Sequence, residues 1–209
     1  MRLYFARHGE SEANTRHVIS NRDVELGLTS LGKQQAKTLA ENLHDISFRA
    51  MFCSPVFRAR ETAEILSSSL NVPYQVTEAL REYDCGILEE QSDEESWRLH
   101  RDYFESWVLH HKHENKPEGG ESFLDIQKRF VPFIQNLMDN DVYKNSNLLL
   151  IGHGGLFLLM LPVIFSNVDH PFATLHGIGN AEYILAEQWG EQLVCLQWGQ
   201  VILQENINK

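Results

Sequence analysis

Along this chain, short apolar runs alternate with amphipathic stretches. The runs at residues 2–6, 49–53, 148–152, 181–186 and 193–198 have the length and composition of buried strands. In residues 30–43, Leu31, Ala36, Leu39, Ala40 and Leu43 make one stripe at helical spacing, with Thr29 or Ser30 as the N-cap. Residues 57–70 repeat the pattern through Phe57, Ala59, Ala63, Ile65, Leu66 and Leu70, and Asn71 and Pro73 end it. A third helix is predicted over 122–138 on Phe123, Ile126, Phe130, Phe133, Ile134 and Leu137, with Pro132 expected to bend it.

Strands alternating with helices predict an α/β fold with three layers, α/β/α, around a mainly parallel central sheet. The last two runs are separated only by Trp189-Gly190-Glu191, which predicts an antiparallel hairpin or edge strand. Residues 87–120 fit the alternation poorly, being polar, aromatic and rich in His and Glu. They are expected to form a lid insertion over the C-terminal strand ends, carrying a helix around Ser96–Val108. The apolar stretch from Leu148 to Phe165 is broken by Gly152-His153-Gly154-Gly155 and by Pro162, so it predicts a strand and a buried helix, not a membrane span.

A length of 209 residues fits a single domain, 1–209, lid included. A net charge of −11 argues against sequence-independent nucleic-acid binding, and it requires any anionic ligand to be drawn by a local cationic cluster. Cys53, Cys85 and Cys195 are odd in number and lack metal spacing. With no signal-peptide pattern, they point to a reducing, cytoplasmic setting. The apolar strand around Val194–Trp198 is a candidate sheet edge, which would suit a homodimer.

Candidate chemistry gathers at three predicted strand ends. The first ends in Arg7-His8-Gly9, the third in Gly152-His153-Gly154-Gly155. The second runs into Cys53-Ser54-Pro55-Val56-Phe57-Arg58, placing Arg58 in the first turn of a helix where backbone N–H groups favour anions. Open α/β sheets bind ligands at the carboxyl ends of their strands. If these strands are neighbours, two histidines and two arginines converge, and Glu82 of Leu80-Arg81-Glu82-Tyr83-Asp84-Cys85-Gly86 adds an acid, with Asp84 as its rival. Such a set suits phosphoryl transfer, which needs a nucleophile, neutralisation of the equatorial oxygens and a proton for the leaving group.

These pieces resemble the histidine phosphatase superfamily, the phosphoglycerate-mutase-like proteins, in its phosphatase branch. The matching motifs are Arg7-His8-Gly9-Glu10-Ser11-Glu12 with Asn14, Leu28-Thr29 with Gly32 and Gln35-Ala36, Ser54-Pro55 with Arg58-Ala59 and Thr62-Ala63, Arg81-Glu82 with Gly86, Gly119-Gly120-Glu121-Ser122, and Gly152-His153-Gly154-Gly155. The resemblance implies that His8 attacks phosphorus and that Arg7, Arg58 and His153, with Asn14 and Gly154, bind the phosphoryl group. Glu82 would protonate the leaving oxygen. No cofactor or metal is implied, and the partner is a small phosphomonoester. His8 must then be unprotonated at its attacking nitrogen, with the other nitrogen donating to a carbonyl or carboxylate.

Three functions follow from this resemblance: phosphatase, mutase, or a catalytically silent binding protein of the same fold. Mutases of the family carry a basic insert after the glutamate motif, whereas Ile87–Lys116 begins acidic and offers only Arg98, Arg101 and Lys112 before Lys116. Phosphatase is the expected activity. Departures from the family pattern are Gly27, where proline is common, and Leu88-Glu89-Glu90, where an aromatic, Glu, Gly sequence is frequent. Trp97, Tyr103, Phe104 and Trp107 either pack the lid or offer a flat wall to an organic moiety. His110-His111-Lys112-His113 has the composition of a metal cluster but reads as solvated surface, and the acidic run 89–95 as a solvated face or helix start.

Overall fold

The computed structural model describes residues 1–22 and 25–203. Strands β1 (Arg2–Arg7), β2 (Phe48–Cys53), β3 (Tyr74–Val76), β4 (Asn147–Gly152), β5 (Tyr183–Trp189), β6 (Gln192–Trp198) and β7 (Val201–Ile202) form one sheet in the order β3-β2-β4-β1-β5-β6-β7. The helices are α1 (Glu12–Thr15), α2 (Ser30–Asn42), α3 (Phe57–Leu70), α4 (Glu94–Val108), α5 (Phe123–Asp139), α6 (Gly154–Ile164) and α7 (His170–His176).

β4 reads as an unbroken apolar run because both of its faces are covered. Leu148 and Leu150 join Phe5, Phe130 and Phe157 on the α5–α6 side, while Leu149 and Ile151 join Tyr4, Met51 and Leu66 on the α2–α3 side. Its parallel neighbours are β1 and β2, in a register that sets Arg7 opposite Gly152 and Cys53 opposite Ile151. Three strands therefore end at one level, side by side. No helix among the described residues is long and apolar enough to cross a membrane, and Leu148 to Phe165 is β4 followed by the buried helix α6.

The predicted elements form with small shifts. Thr29 caps α2, and Asn71 closes α3 in the left-handed region at φ 54°. α5 runs through Pro132 as one helix. The acidic run becomes a helix start, with Asp93 as N-cap and Glu94 and Glu95 in the first turn. The predicted strand at 181 begins at Tyr183, because Ala181 sits at φ 55°. β3, β7, α1 and α7 carry no apolar periodicity of their own: β3 is a short, largely exposed edge strand, and α1 is a single turn held by a capping box between Ser11 and Asn14.

The antiparallel part is larger than one edge strand. β5 pairs antiparallel with β1, β6 with β5, and β7 with β6. Nor is the strand around Val194–Trp198 an open edge. The Asn167 side chain donates to Cys195 O (2.9 Å) and accepts from Cys195 N–H (2.8 Å), and Ser166 N–H donates to Leu193 O (2.9 Å). Those bonds cover the backbone groups that a pairing partner chain would use.

α2 serves the first strand end directly. Thr29 N–H donates to Glu10 O (3.0 Å), and Glu10 N–H donates to Gln35 Oε1 (2.8 Å). Two glycines permit this approach: a Cβ on Gly9 would lie 2.4 Å from Gly32 O, and one on Gly32 would lie 1.9 Å from Glu10 O. Gly32→Ala is therefore expected to push the Gly9–Glu10 backbone away from α2, costing about 1–3 kcal/mol. Urea unfolding checks it; unchanged stability would contradict the close approach.

Candidate active site

Arg58, in the first turn of α3, is only 4% exposed, and its guanidinium spans the three strand ends. Nε donates to His8 Nε2 (3.0 Å), one terminal nitrogen donates to Ser20 O (2.6 Å), and the other lies 3.3 Å from His153 Nδ1. Burial and the charge of Arg7 lower its pKa to about 10, so it stays cationic at neutral pH.

These donors select the histidine tautomers. His8 Nδ1 is 2.7 Å from Gly9 O, an acceptor, so Nδ1 carries the proton and Nε2 keeps its lone pair. His153 accepts from Arg58 at Nδ1, so Nε2–H donates to Ser54 Oγ (2.7 Å). Burial, then Arg58, hold both rings' pKa values well below the usual histidine range. The two rings meet edge to face at 5.1 Å.

Arg7 donates to Ile178 O (2.8 Å), while its buried Nε has no partner. The Glu82 carboxylate sits on the N-terminus of α6, accepting from Gly155 N–H (2.9 Å) and from Tyr83 N–H (3.1 Å). Burial raises its pKa, and these N–H groups and Arg58 only partly oppose that. Gly155 makes the seat possible, since a Cβ there would lie 2.6 Å from the Tyr83 ring and 2.9 Å from Glu82 Oε2. Asn14 Oδ1 accepts from Ser11 N–H (3.1 Å) and the Ser11 hydroxyl (3.0 Å), leaving the amide NH2 for a ligand. Arg7, His8, Asn14, Arg58, Glu82 and Gly154 all line one cavity of about 240 Å³, with Ala13, Val18, Ile19 and Trp97 as its apolar wall. His153 lies beneath it, fully buried.

The rival acid Asp84 takes no part in this cavity, because its carboxylate pairs with Arg22 (3.0 Å) and caps Gly86 N–H (2.7 Å). His110 and His111 are exposed, and His113 stacks on Phe123 at 4.4 Å. No cluster of His, Cys, Asp and Glu among the described residues is arranged to hold a metal ion.

The profile of the histidine phosphatase superfamily (branch 1) matches residues 3–201. The chain belongs to that superfamily. The adenosylcobalamin/alpha-ribazole phosphatase of Escherichia coli (strain K12) is 30% identical over 161 residues, 77% of each chain. The alpha-ribazole phosphatase of Shigella flexneri superposes with a TM-score of 0.78 at 25% identity, over 99% of this chain and 100% of that one. YhfR of Bacillus stearothermophilus gives 0.81 at 25% identity, over 96% and 97%. The two of these relatives that are named by an activity are phosphatases, so the expected enzyme class, a hydrolase, stands.

Several residues of this histidine phosphatase site were not singled out by sequence. Ser54 receives the His153 Nε2–H, and Thr62 accepts from Gly9 N–H (3.2 Å) while donating to Arg58 O (2.8 Å). Both lie within quoted motifs, so their signal was present but undivided. Asn180 donates to His8 O (3.1 Å) from a loop with no motif at all. Glu89 is buried, accepting from Asn21 N–H (2.8 Å) and Cys85 N–H (2.8 Å), and so braces the loop whose Ser20 O holds Arg58. Glu90, standing where the family favours glycine, adopts φ 66°, in the left-handed region.

Both site histidines are expected to stay neutral at pH 6, His8 as the Nδ1–H and His153 as the Nε2–H tautomer. Long-range nitrogen–proton NMR of labelled histidine checks this, and a doubly protonated His8 at pH 6 would contradict it. The unfolded chain binds these protons below about pH 6.5 and the folded chain does not, so their linkage lowers stability as pH falls through that value.

Proposed function

We propose that this protein hydrolyses small phosphomonoesters through a phosphohistidine on His8, using Arg7 and Arg58 instead of a metal to neutralise the phosphoryl group. The observation that carries this reading is the unprotonated His8 Nε2, beside a cavity lined by two arginines and one carboxyl group of raised pKa. The Arg58 Nε–H donates to that lone pair. An entering phosphoryl group gives the guanidinium better acceptors in its oxygens, which releases the nucleophile. Arg7 Nε, buried and without a partner among the described residues, is a second donor for a phosphoryl oxygen.

In the first step Nε2 bonds to phosphorus as the ester P–O bond breaks, and protonated Glu82 gives its proton to the leaving oxygen. The Nδ1–H to Gly9 O bond steadies the positive charge that develops on the ring. In the second step water attacks phosphorus, its proton passes to Glu82, and the N–P bond breaks. Inorganic phosphate leaves, with His8 neutral and Glu82 protonated again. Burial of Glu82 serves this cycle by raising its pKa above the ordinary carboxyl range, which favours the protonated acid.

Hydrolysis, as opposed to transfer to a second substrate, is supported by the cavity's charge. Arg7 and Arg58 are its arginines among the described residues. Arg98 is engaged with Glu95 and Asp102 on the surface, Lys112 is exposed, and Arg101 lines the neighbouring depression, so none of the three lines the cavity. Two of the relatives named above add support, being named adenosylcobalamin/alpha-ribazole phosphatase and alpha-ribazole phosphatase.

Phosphate release from aryl and alkyl phosphates in EDTA tests the proposal. Turnover should persist in EDTA and vanish in His8→Ala. Glu82→Gln should slow alkyl phosphates by about 10²–10⁴ and an aryl phosphate far less, because only the poor leaving group needs the proton. Loss of activity in EDTA, or equal damage by Glu82→Gln to both esters, would overturn the scheme.

A further inference from the structure

Beside the catalytic cavity lies a second depression of about 370 Å³, between α4 and the α6–α7 side. Phe104, Val108 and Leu158 give it apolar walls, and Leu109, 59% exposed, stands at its mouth. It adjoins the active site, since Tyr83, His100 and Gly155 line both spaces. The partition is a pair of rings: Tyr83 and His100 stack at 5.6 Å, and the hydroxyl lies 2.8 Å from His100 Nε2.

The groove's lining is mostly apolar. Arg101 and Glu105 on α4 are its charged lining residues, of opposite sign, and burial holds the His100 pKa down at about 4, leaving the partition neutral. Other depressions on the surface, beside Lys37 and Glu41, beside Asp139 and Glu191, and beside Arg2 and Glu187, share no residue with the catalytic cavity. An apolar depression sharing a wall with the cavity that holds the arginines suits an amphiphile, with its polar end fixed by the arginines and its apolar end removed from water.

We propose that this groove seats the apolar part of the substrate, so that the protein favours phosphomonoesters whose alcohol carries an extended alkyl or aryl group crossing the Tyr83–His100 pair. The inference rests on the phosphatase reading above. It makes α4 a specificity element, with Trp97 facing the catalytic cavity and Phe104 facing the groove.

The test is kcat/KM for a series of linear alkyl phosphates, ethyl to decyl, kept below micelle formation, with p-nitrophenyl phosphate as reference. Once the chain is long enough to pass the ring pair, each further buried methylene should raise kcat/KM by about fourfold, the equivalent of about 0.8 kcal/mol. Leu109→Asp, at an exposed position, and Phe104→Ala should each lower the decyl-to-ethyl ratio. Turnover of ethyl phosphate with a flat series overturns the groove assignment and leaves the phosphatase reading intact. Failure to hydrolyse any ester overturns both. A flat series in which Leu109→Asp turns a dimer into a monomer by sedimentation would give the groove to a second copy of the chain instead.

Discussion

A buried guanidinium is the constraint on which the rest of this site depends. Arg58 is taken out of water while remaining charged, which is tolerated only if its donors find acceptors. Those acceptors are His8 Nε2, Ser20 O and His153 Nδ1. Meeting them forces His8 to carry its proton on Nδ1, toward Gly9 O, and forces His153 to turn Nε2–H toward Ser54. One charge thus fixes two tautomers and aims one lone pair. It also holds the loop at Ser20, which Glu89 braces from the far side through Asn21.

The fold exists around that charge in a specific sense. β1, β4 and β2 run parallel and in register, so their carboxyl ends deliver His8, His153 and the start of α3 to one level. Glycines at these ends let backbone and helix approach closely: Gly9 against Gly32, Gly155 against Tyr83 and Glu82. The cluster then carries two arginines against one carboxyl group of raised pKa. That local positive balance is what the proposed phosphate ligand requires of a protein whose net charge is −11.

Much of this was legible in the sequence, and the reasons differ by element. β1, β2 and β4 could be read because strands buried on both faces become continuous apolar runs. Arg7, His8, Arg58, Gly154 and His153 could be placed together because their motifs follow predicted strand ends, and Glu82 and Asn14 through the family resemblance; the structure brings six of the seven to the cavity, with His153 buried against Arg58. What escaped was whatever depends on pairing across distance. Asn167 covers β6 through two hydrogen bonds that no periodicity announces. Asn180 reaches His8 O from 172 residues away. The aromatic residues of α4 shared one composition but divide by position, Trp107 into the core and Trp97 toward the cavity. Only the folded chain makes those distinctions.

The central claim is that His8 Nε2 forms a covalent bond to phosphorus. Rapid mixing with a turned-over phosphomonoester, quenching in alkali, where phosphohistidine survives, and peptide mapping by mass spectrometry and phosphorus NMR would test it directly. The account predicts a phosphoryl group on Nε2 of His8, appearing within one turnover and absent from His8→Ala. A phosphoryl group on another residue, or turnover without any trapped phosphoenzyme, would contradict it.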